Sequence, residues 1–80
     1  MRKVAFVNVE GILFDKLPMN RKTLDLVFFL MSGGDISPIK LEKTKNGYKV
    51  LDGRHRLAAF KLLGEKMILA KFYEPQNLII

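Results

Sequence analysis

From Val4 to Val9 the chain reads Val-Ala-Phe-Val-Asn-Val, rich in β-branched and aromatic residues, which predicts a strand. Gly11 marks a turn, and Ile12-Leu13-Phe14 a short second strand. Leu17-Pro18-Met19-Asn20 reads as a loop, because proline restricts its predecessor and ends regular pairing. A helix is predicted from Arg21 or Lys22 to Ser32, with Asn20 as its cap and Gly33-Gly34 as a left-handed stop. Leu24, Val27, Phe28 and Met31 recur at helical spacing and predict its buried face. Leu26, Phe29 and Leu30 fill much of the other side, so the helix should be covered all round. Either the N-terminal strands and C-terminal tail wrap it, or a second copy does.

Ser37 to Lys43 alternates and ends at Thr44-Lys45-Asn46-Gly47. Asn-Gly between strand-like runs signals a hairpin, since both residues tolerate positive φ. Tyr48 to Leu51 is the return strand, a second helix runs on to Gly64, and Met67 to Tyr73 is the last strand, stopped by Pro75. Leu78-Ile79-Ile80 is apolar enough to dock. The order β(β)-α-β-β-α-β predicts one α+β domain over residues 1–80, a small mixed sheet with two helices.

Composition narrows the chemistry. The 80 residues include no cysteine, which removes disulfides, thiolate catalysis and sulfur-based zinc sites. One histidine leaves no His-pair metal motif and a single candidate base for Ser/His catalysis, with Ser32 and Ser37 in no nucleophile-elbow context. No apolar run approaches the ~20 residues of a membrane span, and the N-terminus lacks a signal-peptide pattern, so a cytoplasmic protein is expected. The net charge of +6 suits a polyanionic partner, either nucleic acid or a phosphate-rich ligand, although a solvated lysine surface explains it equally.

The stretch with the most chemistry is Asp52-Gly53-Arg54-His55-Arg56, between the return strand and the second helix. Asp52 is the expected cap. Two arginines and the histidine then crowd a helix end that is already positive, each charge costing roughly 0.3–1 kcal/mol there. Outward amides, the helix dipole, guanidinium forks and a glycine that admits close approach make a phosphate site. Two accounts stay open: an anion docks there, or the arginines reach Asp52 or Glu74 and His55 packs under the sheet. Glu10, Asp35 and Glu42 are candidate holders of Mg²⁺ beside a triphosphate, with surface solvation the simpler role for each.

Ile36-Ser37-Pro38-Ile39, a hairpin, and then Leu51-Asp52-Gly53-Arg54-His55-Arg56-Leu57-Ala58-Ala59 together resemble the ParB/sulfiredoxin superfamily, specifically the ParB-like N-terminal (ParB-like nuclease) domain. The resemblance runs from about Leu17 to Glu74. It implies that Gly53, Arg54, His55 and Arg56 bind a triphosphate, CTP in ParB proteins. It further implies that Ser37, Pro38 and Ile39 line a base pocket, and that Arg21 matches an arginine after the first loop. Serine stands where the family has glutamine, and its metal-positioning glutamate-asparagine element has no clear counterpart. Sulfiredoxins carry a nucleophilic cysteine where this chain has Arg54, which excludes their chemistry.

The resemblance thus implies a module that binds a nucleotide, CTP or an adenine nucleotide with or without Mg²⁺, and is linked to DNA transactions. Any DNA contact is expected to be nonspecific, because no DNA-reading helix-turn-helix follows in these residues. One alternative is a phosphotransferase resembling free serine kinases, with Glu10, Asp35 or Glu42 as base. Another is a non-enzymatic domain that forms a homodimer through the apolar helix. Nuclease activity is not expected, for want of an Asp/Glu/His cluster.

Overall fold

Eight segments follow one another in the computed structural model, which describes residues 4–73. They are β1 (Val4–Asn8), a 3₁₀ turn (Val9–Gly11), β2 (Ile12–Leu13), α1 (Arg21–Met31), β3 (Ile39–Thr44), β4 (Gly47–Asp52), α2 (Arg54–Leu62) and β5 (Met67–Phe72). The stop expected at Pro75, any pairing with Glu74 and the docking expected of Leu78–Ile80 lie outside the described residues. Among the described residues, no helix is long and apolar enough to cross a membrane.

The α+β class holds. The five strands form one mixed sheet in the order β1-β5-β3-β4-β2. β1 runs antiparallel to β5 and β3 antiparallel to β4, while β3–β5 and β2–β4 pair in parallel. Alternation along each strand sends Val7, Ile68, Ala70, Ile39, Leu41 and Val50 into the core, where Leu57 of α2 joins them. The β3–β4 connection shortens to Lys45-Asn46, with Gly47 opening β4 at φ 138°. Asn46 keeps negative φ, so only one of the expected pair is left-handed.

α2 packs on β3 and α1 packs on α2. Asn20 caps α1 as expected, its side chain accepting from the Thr23 amide at 3.3 Å. The buried face of α1 differs from the predicted one. Thr23 is fully buried, and Leu26, Val27 and Leu30 are half-buried beside it. Of the predicted face, Leu24, Phe28 and Met31 are 51%, 64% and 68% exposed. Both stripes have helical spacing, and the one nearer α2 is the one that packs.

Candidate functional site

At the start of α2 the chain must turn sharply out of β4. Gly53 does this at φ 108°, ψ 26°, and occupies the cap position itself, with no side-chain cap bond. The Asp52 cap is therefore overturned: the carboxylate stands one residue outside the helix, and the first-turn amides lack a side-chain partner. A Cβ on Gly53 would lie 2.6 Å from Ile39 Cγ2 and 2.8 Å from Ile39 Cβ. Ile39 is fully buried, so the turn lies directly on the core.

The turn forms one wall of an open cleft of about 730 Å³. Opposite stand Lys16, Leu17, Pro18, Asn20 and Lys22, with Leu26 and Leu51 as apolar lining. The N-termini of α1 and α2 thus meet at the same cleft, and neither helix carries an acidic residue in its first turn. Asn20 Nδ2 and His55 Nε2, 3.3 Å apart, bridge the two ends. Asn20 Oδ1 already accepts from Thr23, so the amide nitrogen is the atom that faces the imidazole, donating to Nε2. Lys16, Lys22, Arg54 and Arg56 line the cleft against a single carboxylate, Asp52. Two positive helix ends and four cations in one concavity give a surface whose charge would suit an anion.

The two arginines divide the work. Arg54 is exposed at the cleft wall. Arg56 is half-buried and its Nη1 donates to the Pro38 carbonyl at 3.1 Å, tying the segment before β3 to α2. Gly53, Arg54, His55 and Arg56 are thus brought together in the cleft. Ser37, Pro38, Ile39 and Arg21 do not line it: Ser37 and Arg21 are exposed, Pro38 is held by Arg56, and Ile39 lies under Gly53. Glu10 sits in a separate hollow beside Lys61 and Glu65, Glu42 pairs in register with Lys49, and Asp35 is exposed in the loop after α1. No cluster of three or more metal-ligating side chains occurs among the described residues.

Sequence reasoning missed Lys16, Asn20 and Lys22 as cleft residues. Lys22 carried the same signal that marked Arg54 and Arg56, a cation at the positive end of a helix. Lys16 carried none.

The loop that brings Lys16 to Asn20 to the cleft is pinned by Thr23, whose buried hydroxyl donates to the Pro18 carbonyl at 2.6 Å. Thr23→Val keeps the shape and strands that carbonyl, at a cost of about 1–3 kcal/mol. Its urea midpoint should fall, and a midpoint equal to that of the parent would remove this role.

No protein-family model matches the chain, and no curated protein matches it. Solved structures do. Sulfiredoxin from Arabidopsis thaliana superposes with TM-score 0.72 and 23% identity over 90% of this chain and 85% of that one. The C-terminally truncated chromosome-partitioning protein ParB from Caulobacter crescentus, in complex with CTP-γ-S, gives 0.74 and 17% over 95% of this chain. A free serine kinase in complex with AMP gives 0.79 and 19% over 89%. The chain spans 47% of that ParB and 31% of the kinase, but most of the sulfiredoxin. With its sheet order, its two helices and the glycine-led turn between β4 and α2, the chain has the fold of sulfiredoxin and of the ParB N-terminal domain.

Proposed function

We propose that this domain binds a nucleotide, or another ligand rich in phosphate, in the cleft between the N-termini of α1 and α2. The observation that carries the reading is the convergence of two positive helix ends with Lys16, Lys22, Arg54 and Arg56 around one carboxylate. Phosphate oxygens would meet the α2 amides at Gly53 and Arg54, the Arg54 fork and His55. Leu17, Pro18, Leu26 and Leu51 give a base or sugar an apolar wall. The nucleotide complexes of the similar ParB and free serine kinase support the same assignment. Asp52 lines the cleft and is where Mg²⁺ carried in by a nucleotide would be met.

Binding is favoured over phosphoryl transfer, because Glu10, Asp35 and Glu42 all stand off the cleft. In this reading contact with DNA is nonspecific and electrostatic, and two copies would associate through the exposed strip Leu24, Phe28 and Met31.

A thermal-shift series tests the reading with CTP, ATP, ADP, AMP, pyrophosphate and unphosphorylated nucleosides, each with and without Mg²⁺. A ligand at a hundred times its Kd stabilises by about 2.7 kcal/mol. In a domain of this size that is a rise in Tm of about 10–20 °C. The shift should grow with the number of phosphates. Equal shifts from nucleosides and triphosphates, or none from any of them, would refute a phosphate-centred site.

A further inference from the structure

The two edges of the sheet end on different kinds of strand. At one edge β2 is two residues long, and that shortness blunts it. At the other, β1 runs Val-Ala-Phe-Val-Asn with no charge and no proline, and its ladder with β5 has no register shift. Sheets normally protect an edge of that length with a lysine, a proline or a bulge. The direction of its backbone groups follows from one bond. The Val9 amide donates to the Lys66 carbonyl at 2.8 Å, so Val9 faces β5. Groups alternate sides along a strand, so Ala5 and Val7 face β5 as well, whereas Val4, Phe6 and Asn8 face outward. Among the described residues no strand pairs with that outer side.

These outward groups are their own complement. A two-fold axis through Phe6 sets a second β1 antiparallel to the first, with Phe6 facing Phe6 and Val4 facing Asn8. Each Phe6 amide then donates to the other Phe6 carbonyl, and each Asn8 amide to the Val4 carbonyl of the other copy. The side chains agree with the backbone. Val7 points into the core, so alternation puts Val4 and Phe6 on the other face of the sheet, where they are 51% and 68% exposed. Across the axis the two Phe6 rings become direct cross-strand neighbours, a pairing that aromatic side chains favour. The chain carries a net charge of +6, yet this strand brings no charge to its copy, so no like charges stand opposed.

We infer that two copies of this chain pair through β1, antiparallel about Phe6, into one continuous sheet. A contact one strand wide is smaller than the ~1,200–2,000 Å² of standard interfaces, so the dimer is weak and forms at high concentration. This contact goes beyond the proposed function. It touches neither the cleft nor the exposed strip of α1, which packs on α2.

Sedimentation equilibrium of the full chain from about 10 µM to about 1 mM should show the mean mass rising toward that of a dimer. Amide hydrogen exchange by NMR then locates the contact. Protection of the Phe6 and Asn8 amides should grow with concentration, while Ala5 and Val7 should be protected already in the monomer. Phe6→Pro removes the ring and the outward amide and spares the β5 ladder, since proline is tolerated where its nitrogen faces out of an edge. Its dimer Kd should rise at least about tenfold, and that of Phe6→Ala, which keeps the amide, by less. Nucleotide binding in the cleft should survive both substitutions, so the two sites fail separately. Phe28→Ser, on the α1 strip, should leave the concentration-dependent protection of Phe6 intact. A monomer throughout the range would overturn the pairing. So would Phe6 protection at every concentration, which marks an edge filled within one chain, equal effects of Phe6→Pro and Phe6→Ala, or loss of that protection through Phe28→Ser.

Discussion

Gly53→Ala is expected to destabilise the folded domain by about 2–5 kcal/mol, from two separate causes. At φ 108° an L side chain is strained, costing roughly 1–2 kcal/mol. Its methyl would also lie 2.6 Å from Ile39 Cγ2, and forcing an extra carbon into a packed core costs about 1–3 kcal/mol. Ile39 is fully buried between neighbouring strands, so it has little room to retreat. Because the same residue shapes the start of α2, the variant should lose its nucleotide-induced thermal shift even where it remains folded. Gly11→Ala is the control: nothing lies within 4 Å of the added carbon and φ is ordinary, so its effect should stay within about 0.5 kcal/mol. Urea denaturation of the three proteins measures both, and equal midpoints for the parent and Gly53→Ala would contradict the packing described for this turn.

Arg54→Ala should act on the ligand alone. Arg54 is exposed at the cleft wall, so its removal leaves the fold intact. A hydrogen bond to a charged group is worth about 1.5–3 kcal/mol, and each 1.4 kcal/mol is tenfold in affinity. Calorimetry should therefore record about a 10–150-fold weaker Kd for the nucleotide that gives the largest thermal shift. Arg54→Lys keeps the charge without the planar fork and should fall between the two. Arg56→Ala should behave differently, losing affinity and stability together, because its guanidinium also holds the Pro38 carbonyl. A parent-like Kd for Arg54→Ala would remove the guanidinium from the site.

Much of this was written locally. The Asn20 cap depends on a side chain reaching an amide three residues on, a contact that the sequence contains complete. The hairpin, the closing strand and the turn into α2 were legible for similar reasons. Other features were not. Asp52 has the chemistry of a cap, but the left-handed Gly53 takes the cap position and moves the carboxylate out of reach. On α1, one stripe runs through Leu24, Val27, Phe28 and Met31 and another through Thr23, Leu26, Val27 and Leu30, with Val27 common to both. Hydrophobicity favoured the first, because threonine counts as polar until its hydroxyl is seen on the Pro18 carbonyl. Lys16 had no signal at all, since its place in the cleft depends on a loop folding back against α2.

The sequence alone determined the succession of strands and helices, the existence of a turn between β4 and α2 and the cluster of cations that follows it. Each of these depends on residues within a few positions of one another, where backbone sterics and hydrogen-bond reach decide the outcome. Tertiary structure decided which stripe of α1 is buried, which strands became neighbours, and that a second helix start with two further lysines would face the first. Those depend on where distant segments pack, which no local pattern encodes.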